Sequence, residues 1–159
     1  MVTLPQLIEE DIQQLDGILR DLLSNSEATT ALVIDKGGFL ITYRGEEEQF
    51  DLTTIAALAS GAFLANQTIA NLVHEENFDS VYQQGEKFSM LVMNVDEFCL
   101  LVLIFKATVS VGAVKYFAIG ATPKVSRQLK TAKERDPSGG LDLSVLNMAD
   151  TSALFRKSV

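Results

Sequence analysis

Apolar and polar positions along the 159-residue chain form blocks that predict eight secondary-structure elements. Residues 4–23 place apolar side chains at every third or fourth position, which predicts a first helix. Two short β-branched, apolar segments follow at residues 29–35 and 39–44. Because Gly37 and Gly38 lie between them and can adopt positive φ angles, the two segments predict a β-hairpin.

The next blocks predict a second helix and a three-stranded meander. A helix is predicted from Asp51 to residue 73, and Asp51, Thr53 or Thr54 can cap it. Strands are predicted at residues 78–84, 88–95 and 98–105, with short turns between them. The last strand is apolar at every position, which places it at the centre of the sheet with both faces covered.

A third helix is predicted after Thr108 or Ser110, either of which can cap it. We expect it to break or kink near Gly120 and Pro123, because an interior proline removes a backbone hydrogen bond, and to resume from Pro123 to about Glu134. The order α-β-β-α-β-β-β-α predicts an α+β fold, a five-stranded antiparallel sheet with helices on both faces. Residues 1–135 would form this domain. Residues 136–159 would form a linker and a C-terminal tail with a short amphipathic helix.

Charge and composition narrow the function classes. The formal net charge is −8, and residues 1–100 hold 17 of the 21 acidic residues but 4 of the 13 basic ones. This balance disfavours nucleic acid as a partner, because nucleic-acid binding depends on dense Lys and Arg. Cys99 is the only cysteine, which excludes an internal disulfide and fits a reducing compartment. No basic leader and no run of 18 apolar residues is present, so we expect a cytoplasmic protein without membrane insertion.

The sequence contains few candidates for catalysis. His74 is the only histidine and falls at the end of the second helix, where we expect a surface residue. Cys99 falls in the most apolar strand, where a thiol is a small buried hydrophobe. A Cys99–His74 dyad would form only if the fold brought the two together. No phosphate-binding glycine loop and no metal-ligand spacing is present, so we expect no cofactor, no metal and no active site.

The second helix is unusual because residues 52–73 contain no charged side chain. One apolar set is expected to lie on the sheet: Ile55, Leu58, Ala62, Ala65, Ile69 and Leu72. A second set follows the same spacing around the helix: Ala57, Gly61, Leu64, Thr68 and Asn71, joined by Ser60. An interior glycine costs about 1 kcal/mol relative to alanine, which favours close approach of another backbone. This second face is either buried by the same chain or a protein–protein interface. The strand at 78–84, if it lies at a sheet edge, could pair with its copy in a second subunit.

Taken in order, these segments resemble the roadblock/LC7 family, which has a profilin-like fold. The resemblance rests on ALVIDKGGFLI, DLTTIAALASGAFLANQTIANLV and FCLLVLIF…SVGAVKYF, and covers roughly residues 5–133. It implies a homodimer with a continuous sheet and paired central helices. The chain is most similar to bacterial members that regulate a Ras-like small GTPase in cell polarity and motility.

In that subgroup two regulator subunits bind one GTPase, touch its switch region and accelerate GTP hydrolysis without inserting an arginine. The resemblance implies GTPase contacts at Ala57, Ser60, Gly61, Leu64 and Thr68. Leu64 and Thr68 are bulkier than the small residues expected at such a contact, and Pro123 interrupts a helix that is usually longer. The alternative function is a non-catalytic adaptor that binds a GTPase or another roadblock protein.

Overall fold

The computed structural model describes residues 5–46 and 48–135, and the predicted tail at 136–159 lies outside them. Its elements follow the predicted order and are α1 (Glu9–Ser26), β1 (Thr30–Asp35), β2 (Leu40–Gly45), α2 (Leu52–Leu72), β3 (Ser80–Gln83), β4 (Phe88–Asn94), β5 (Cys99–Lys106) and α3 (Val111–Glu134). The strands form one antiparallel sheet in the order β2-β1-β5-β4-β3. The predicted α+β fold is therefore confirmed.

Strand β5 occupies the centre of the sheet, as its apolar sequence predicts. All of its residues from Cys99 to Phe105 are buried. Because successive side chains of a strand point to opposite faces, β5 supplies both cores. Cys99, Leu101, Leu103 and Phe105 face a core shared with α1 and α3, whereas Leu100, Val102 and Ile104 face a core shared with α2.

Helix α1 begins at Glu9, later than the predicted residue 4, and the reason is a capping interaction. The Ile8 backbone N–H donates to Asp11 Oδ2 at 2.9 Å, and Ile8 itself has an extended backbone. A carboxylate at the third helical position satisfies one of the free N–H groups at a helix start. The hydrophobic spacing continues upstream of this point and could not locate the boundary.

Helix α3 is continuous through Pro123, so the predicted break is wrong. Proline cannot donate to the carbonyl of Ile119 four residues earlier. The Thr122 hydroxyl donates to that carbonyl instead, at 3.3 Å, and Pro123 is exposed on the helix surface. The first turn is capped by Ser110, whose hydroxyl accepts from the Ala113 N–H at 3.4 Å. One of the two predicted caps is thus confirmed.

A buried carboxylate joins the start of α1 to the end of α3. Asp11 is fully buried and accepts two hydrogen bonds from Arg135, at 2.6 and 2.9 Å, and one from Gln128 at 2.8 Å. Hydrogen bonding to Arg135, above all, lowers the pKa of Asp11 to about 2. We call these three residues the Asp11 clamp. It fixes the point at which the chain leaves α3.

Candidate functional site

Phe63 determines which face of α2 packs on the sheet. Its ring is 1 % exposed and lies 5.1 Å from the ring of Phe78, between centroids. The buried apolar residues of the helix share this face and are Leu52, Ala56, Ala59, Phe63 and Ala70.

The apolar set expected to lie on the sheet faces solvent instead, so that prediction is wrong. Leu58 is 69 % exposed, Leu72 is 74 % exposed, and Ala62, Ala65 and Ile69 are also exposed. Ile55 alone of the set is half-buried. Because the helix is apolar almost all the way round, the spacing of apolar residues does not show which face packs on the sheet. The buried face is the one that carries Phe63, the largest side chain of the helix.

Two uncharged strips remain on the outer side of α2. The small-residue strip consists of Ala57, Gly61, Leu64, Thr68 and Asn71, all of which are exposed. The aliphatic strip consists of Leu58, Ala62, Ala65 and Ile69. Each residue is displaced from its sequence neighbour by about 100° around a helix, so the strips lie side by side. A solvated helix face usually carries charged residues, and this one carries none.

Gly61 lies at the centre of the outer face and has open space above it. A methyl group added at its Cα would meet no atom within 4 Å. Among the described residues nothing covers this point, so burial by the same chain finds no support there. The close approach that an interior glycine permits is available to another molecule.

Ser60 is the exception among the five predicted contact residues. It is 3 % exposed, and its hydroxyl donates to the Lys36 carbonyl oxygen at 2.5 Å. Lys36 lies in the β1–β2 turn, where Gly38 adopts φ 98° and its backbone lies against Ala57. Ser60 therefore links α2 to the turn through a hydrogen bond. Its partner lies 24 residues away, so the local sequence around Ser60 does not predict this role.

Strand β3 forms one edge of the sheet, which is the condition under which residues 78–84 could pair with a second copy, and the strand is shorter than the predicted segment. Within the described residues it pairs only with β4, which leaves one row of its backbone N–H and C=O groups without a strand partner. Phe78, two residues before β3, packs against Phe63 of α2. The edge strand and the uncharged helix are therefore neighbours.

Cys99 and His74 do not form a dyad. Cys99 is fully buried in the core between the sheet and α1 and α3, and burial raises the pKa of its thiol to about 12. His74 is exposed just after α2, on the other face, with φ 62°. In residues 5–46 and 48–135 no group of three His, Cys, Asp or Glu side chains is placed to hold a metal ion.

By length and composition alone, α2 could also cross a bilayer, with a mean hydropathy of 1.2 over its best 18 residues. Core helices pass the same test. Its buried Phe63 face packs on the sheet, which accounts for part of this apolar character. The outer face is what requires an explanation.

In the described part of the chain, a five-stranded antiparallel sheet carries one helix on one side and two on the other, which is a profilin-like fold. The chain belongs to the roadblock/LC7 domain family, whose model matches residues 15–105, more than half of the chain.

Solved MglB structures are similar over most of the chain. One described as having a tetrameric arrangement is 27 % identical with a TM-score of 0.76, covering 83 % of this chain and 99 % of its own. Gliding protein MglB from Thermus thermophilus is 28 % identical with a TM-score of 0.75, covering 82 % and 99 %. Myxococcus xanthus MglB is 25 % identical with a TM-score of 0.74, covering 81 % and 97 %.

Acanthamoeba castellanii profilin II shares the fold at 13 % identity and a TM-score of 0.52, covering 73 % of this chain and 96 % of its own. No curated protein sequence matches the chain.

Proposed function

We propose that this protein is a homodimeric regulator of a Ras-like small GTPase in the bacterial cytoplasm, where it accelerates GTP hydrolysis in cell polarity or motility. One observation carries the proposal: α2 is 21 residues long and its exposed side has no charged residue. The similarity to MglB structures supports the same interpretation.

The dimer would form by pairing β3 with its copy across a two-fold axis. An edge strand with free backbone groups invites such pairing, and the pairing would bring two α2 helices together. The aliphatic strip supplies the apolar contact, since burying each Leu or Ile side chain fully contributes about 1.5–3 kcal/mol. Leu58 and Ile69, both more than half exposed, would gain the most.

The small-residue strip would contact the GTPase. Ala57 and Gly61 allow close approach of a backbone, and Leu64 and Thr68 border them. Ser60, buried beneath, would act as a positioning residue. Because α2 contains no Lys or Arg, this face cannot supply an arginine finger to the transition state. Stimulation would come from favouring a hydrolysis-competent arrangement of the GTPase's own switch residues.

The test is GTP turnover by the cognate GTPase with and without the protein. We expect stimulation by the native chain and basal turnover with Gly61→Arg, because the new side chain occupies the contact without clashing inside its own chain. An unpaired arginine held in an interface should weaken binding by about 100-fold. Ser24→Arg is the matched control, because Ser24 is exposed on α1 across the sheet. It should stimulate like the native chain.

The possible outcomes separate the two candidate functions. If the native protein binds the GTPase without changing turnover, it is an adaptor rather than an activator. If Gly61→Arg stimulates as well as the native chain, the contact surface has been placed on the wrong face of the helix.

A further inference from the structure

The first half of α3 presents an uncharged aromatic face to solvent. Opposite the buried side of the helix lie four exposed residues, at the spacing of one helical face: Gly112, Tyr116, Ile119 and Pro123. Tyr116 is 73 % exposed and Ile119 is 53 % exposed. The Tyr116 ring packs edge-on against the ring of Phe117, with 5.2 Å between centroids, which restricts its orientation. Because a solvated helix face usually carries charged residues, this face favours contact with another molecule.

A groove of about 360 Å³ continues this face between α3 and α1. Leu22 and Ala121, both buried, lie in its floor, and Tyr116 and Ile119 line its α3 side. A methyl group added at Gly120, which also lines the groove, would meet nothing within 4 Å. A side chain of another molecule can therefore pass over Gly120 and reach the apolar floor.

Two cations lie where the groove ends. Lys124 is the last residue of α3 that lines the groove, and Arg127 follows one turn later. Both are exposed, and neither forms an ion pair among the residues that the structure describes. A cation interacts favourably with a helix dipole only near the last turn, and α3 continues to Glu134. The stability of the helix itself therefore does not account for these two charges.

Helix α1 does not neutralise these cations. The Asp11 clamp joins the start of α1 to the end of α3, so the helices run antiparallel and earlier α1 residues lie beside later α3 residues. Asp21 lines the groove but forms no ion pair with Lys124. One turn earlier on the same face of α1 are Gln14 and Gly17, which are uncharged. The end of the groove thus carries an excess of positive charge in a chain whose net charge is −8.

We propose that a segment of a partner protein binds here through an apolar side chain and acidic residues. The surface that it contacts, the α3 surface, consists of Tyr116, Ile119, Gly120, Lys124 and Arg127. The apolar side chain enters the groove above Leu22 and Ala121. The acids pair with Lys124 and Arg127. Gly120 and Arg127 are about 10 Å apart along the helix, so the apolar side chain and the acids of a helical partner lie about two turns apart. Tyrosine and arginine are the residue types enriched where binding energy concentrates in protein interfaces.

A protein segment fits the α3 surface better than an anionic membrane does. A membrane would lie across both helices and bring its negative charge against Glu10 and Asp21, which are exposed on α1. A single segment can enter the groove and leave those acids in water. The α3 surface lies across the sheet from α2. The protein can therefore bind this partner while α2 contacts a different one.

The experiment selects binders from a phage-displayed library of random peptides of about 15 residues, which span about 22 Å as a helix. The library is first depleted on a Lys124→Glu/Arg127→Glu variant, which keeps every other surface, and is then selected on the native full chain. We expect the enriched peptides to combine acids with an apolar anchor. Adding one of them to isotope-labelled protein should shift the Gly120 and Arg127 amide signals in NMR and leave the Gly61 signal in place. The proposal is overturned if no peptide is enriched, or if the shifts occur at Gly61 instead.

Single variants distinguish docking from general charge attraction, with peptide affinity measured by fluorescence anisotropy. Tyr116→Ala should weaken binding by about 30-fold, as expected for an interface anchor. Lys124→Glu should weaken it by about tenfold, because an attraction becomes a repulsion. Lys87→Glu, the matched control, makes the same charge change at an exposed residue of the β3–β4 turn and should bind like the native chain. Equal effects of Lys87→Glu and Lys124→Glu would overturn the proposal.

Two further measurements separate this partner from a membrane and from the proposed GTPase contact. The native chain should not sediment with vesicles of phosphatidylcholine and phosphatidylserine in equal parts. Sedimentation that Lys124→Glu abolishes would overturn the proposal and assign the α3 surface to a membrane. Gly61→Arg should bind the peptide with native affinity, because Gly61 lies across the sheet. These results are independent of whether the protein stimulates a GTPase.

Discussion

The two faces of the sheet are covered very differently. Five strands at about 4.8 Å spacing make a sheet roughly 24 Å wide, and one helix with its side chains is about 10 Å across. Two helices, α1 and α3, therefore cover their face, and both carry charged residues on the outside. Within residues 5–46 and 48–135, helix α2 is alone on the other face, and it carries no charged residue. Side chains of the flanking strands, such as Tyr43, Val81 and Met90, remain half-buried there.

The proposed function would account for this difference, because other protein molecules would then complete the α2 layer. A face that ends in water normally carries charged residues, as α1 and α3 do. A face that will be buried against a partner avoids them, because an unpaired charge is costly to bury. The comparison between the two faces can be tested by measuring the free energy of unfolding of variants, beginning with the core beneath α2.

The largest effect is expected at the centre of the α2 layer. Phe63→Ala removes the ring that packs on Phe78 and should lower the free energy of unfolding by about 3–5 kcal/mol. Leu58→Ala, on the exposed side of the same helix, should change it by about 0.5 kcal/mol or less where the chain is monomeric. Urea denaturation measures both. Equal losses would mean that α2 lies on the sheet through a different face.

A smaller effect is expected at the opposite layer, from the Asp11 clamp. The folded-state pKa of Asp11 is lowered from 3.8 to about 2, so its stabilisation is present above pH 4 and is lost as the pH falls towards 2. At about 1.4 kcal/mol per pKa unit, the carboxylate contributes about 2 kcal/mol near neutral pH.

Asp11→Asn should therefore unfold more easily than the native chain at pH 7, and the two proteins should converge near pH 2. Urea midpoints measured across this range supply the test. A constant difference from pH 7 to pH 2 would exclude the ionised clamp as the source of stability.

The smallest effect on stability is expected at the contact between α2 and the β1–β2 turn. Ser60→Ala leaves the Lys36 carbonyl without its hydroxyl partner and should cost about 1–2 kcal/mol. Ser60→Thr, which keeps a hydroxyl, is the matched variant and should recover part of the loss. If Ser60→Ala leaves stability unchanged but weakens GTPase binding, Ser60 contacts the partner directly.

The order of the elements and the position of β5 could be predicted because they depend on local periodicity. An unbroken apolar run such as Cys99–Phe105 fits only the interior of a sheet covered on both faces. The orientation of α2 could not be predicted in the same way, since almost every position in it is apolar or small. It depends on where Phe63 finds space, which is a property of the folded core.

The candidate site shows the same division. The absence of charge along α2 is visible in the sequence, and it led to Gly61 as an outward-facing position, where the structure has open space. The burial of Ser60 depends on a carbonyl in a distant turn. The continuity of α3 depends on the Thr122 hydroxyl replacing the hydrogen bond that Pro123 cannot make.

The most direct test of the account is the affinity of the cognate GTPase, loaded with a non-hydrolysable GTP analogue, for two arginine variants measured by calorimetry. Gly61→Arg places the charge on the uncharged face of α2, and Ser24→Arg places it on α1 across the sheet. The account predicts about 100-fold weaker binding for Gly61→Arg and native affinity for Ser24→Arg. Native affinity for Gly61→Arg would contradict it.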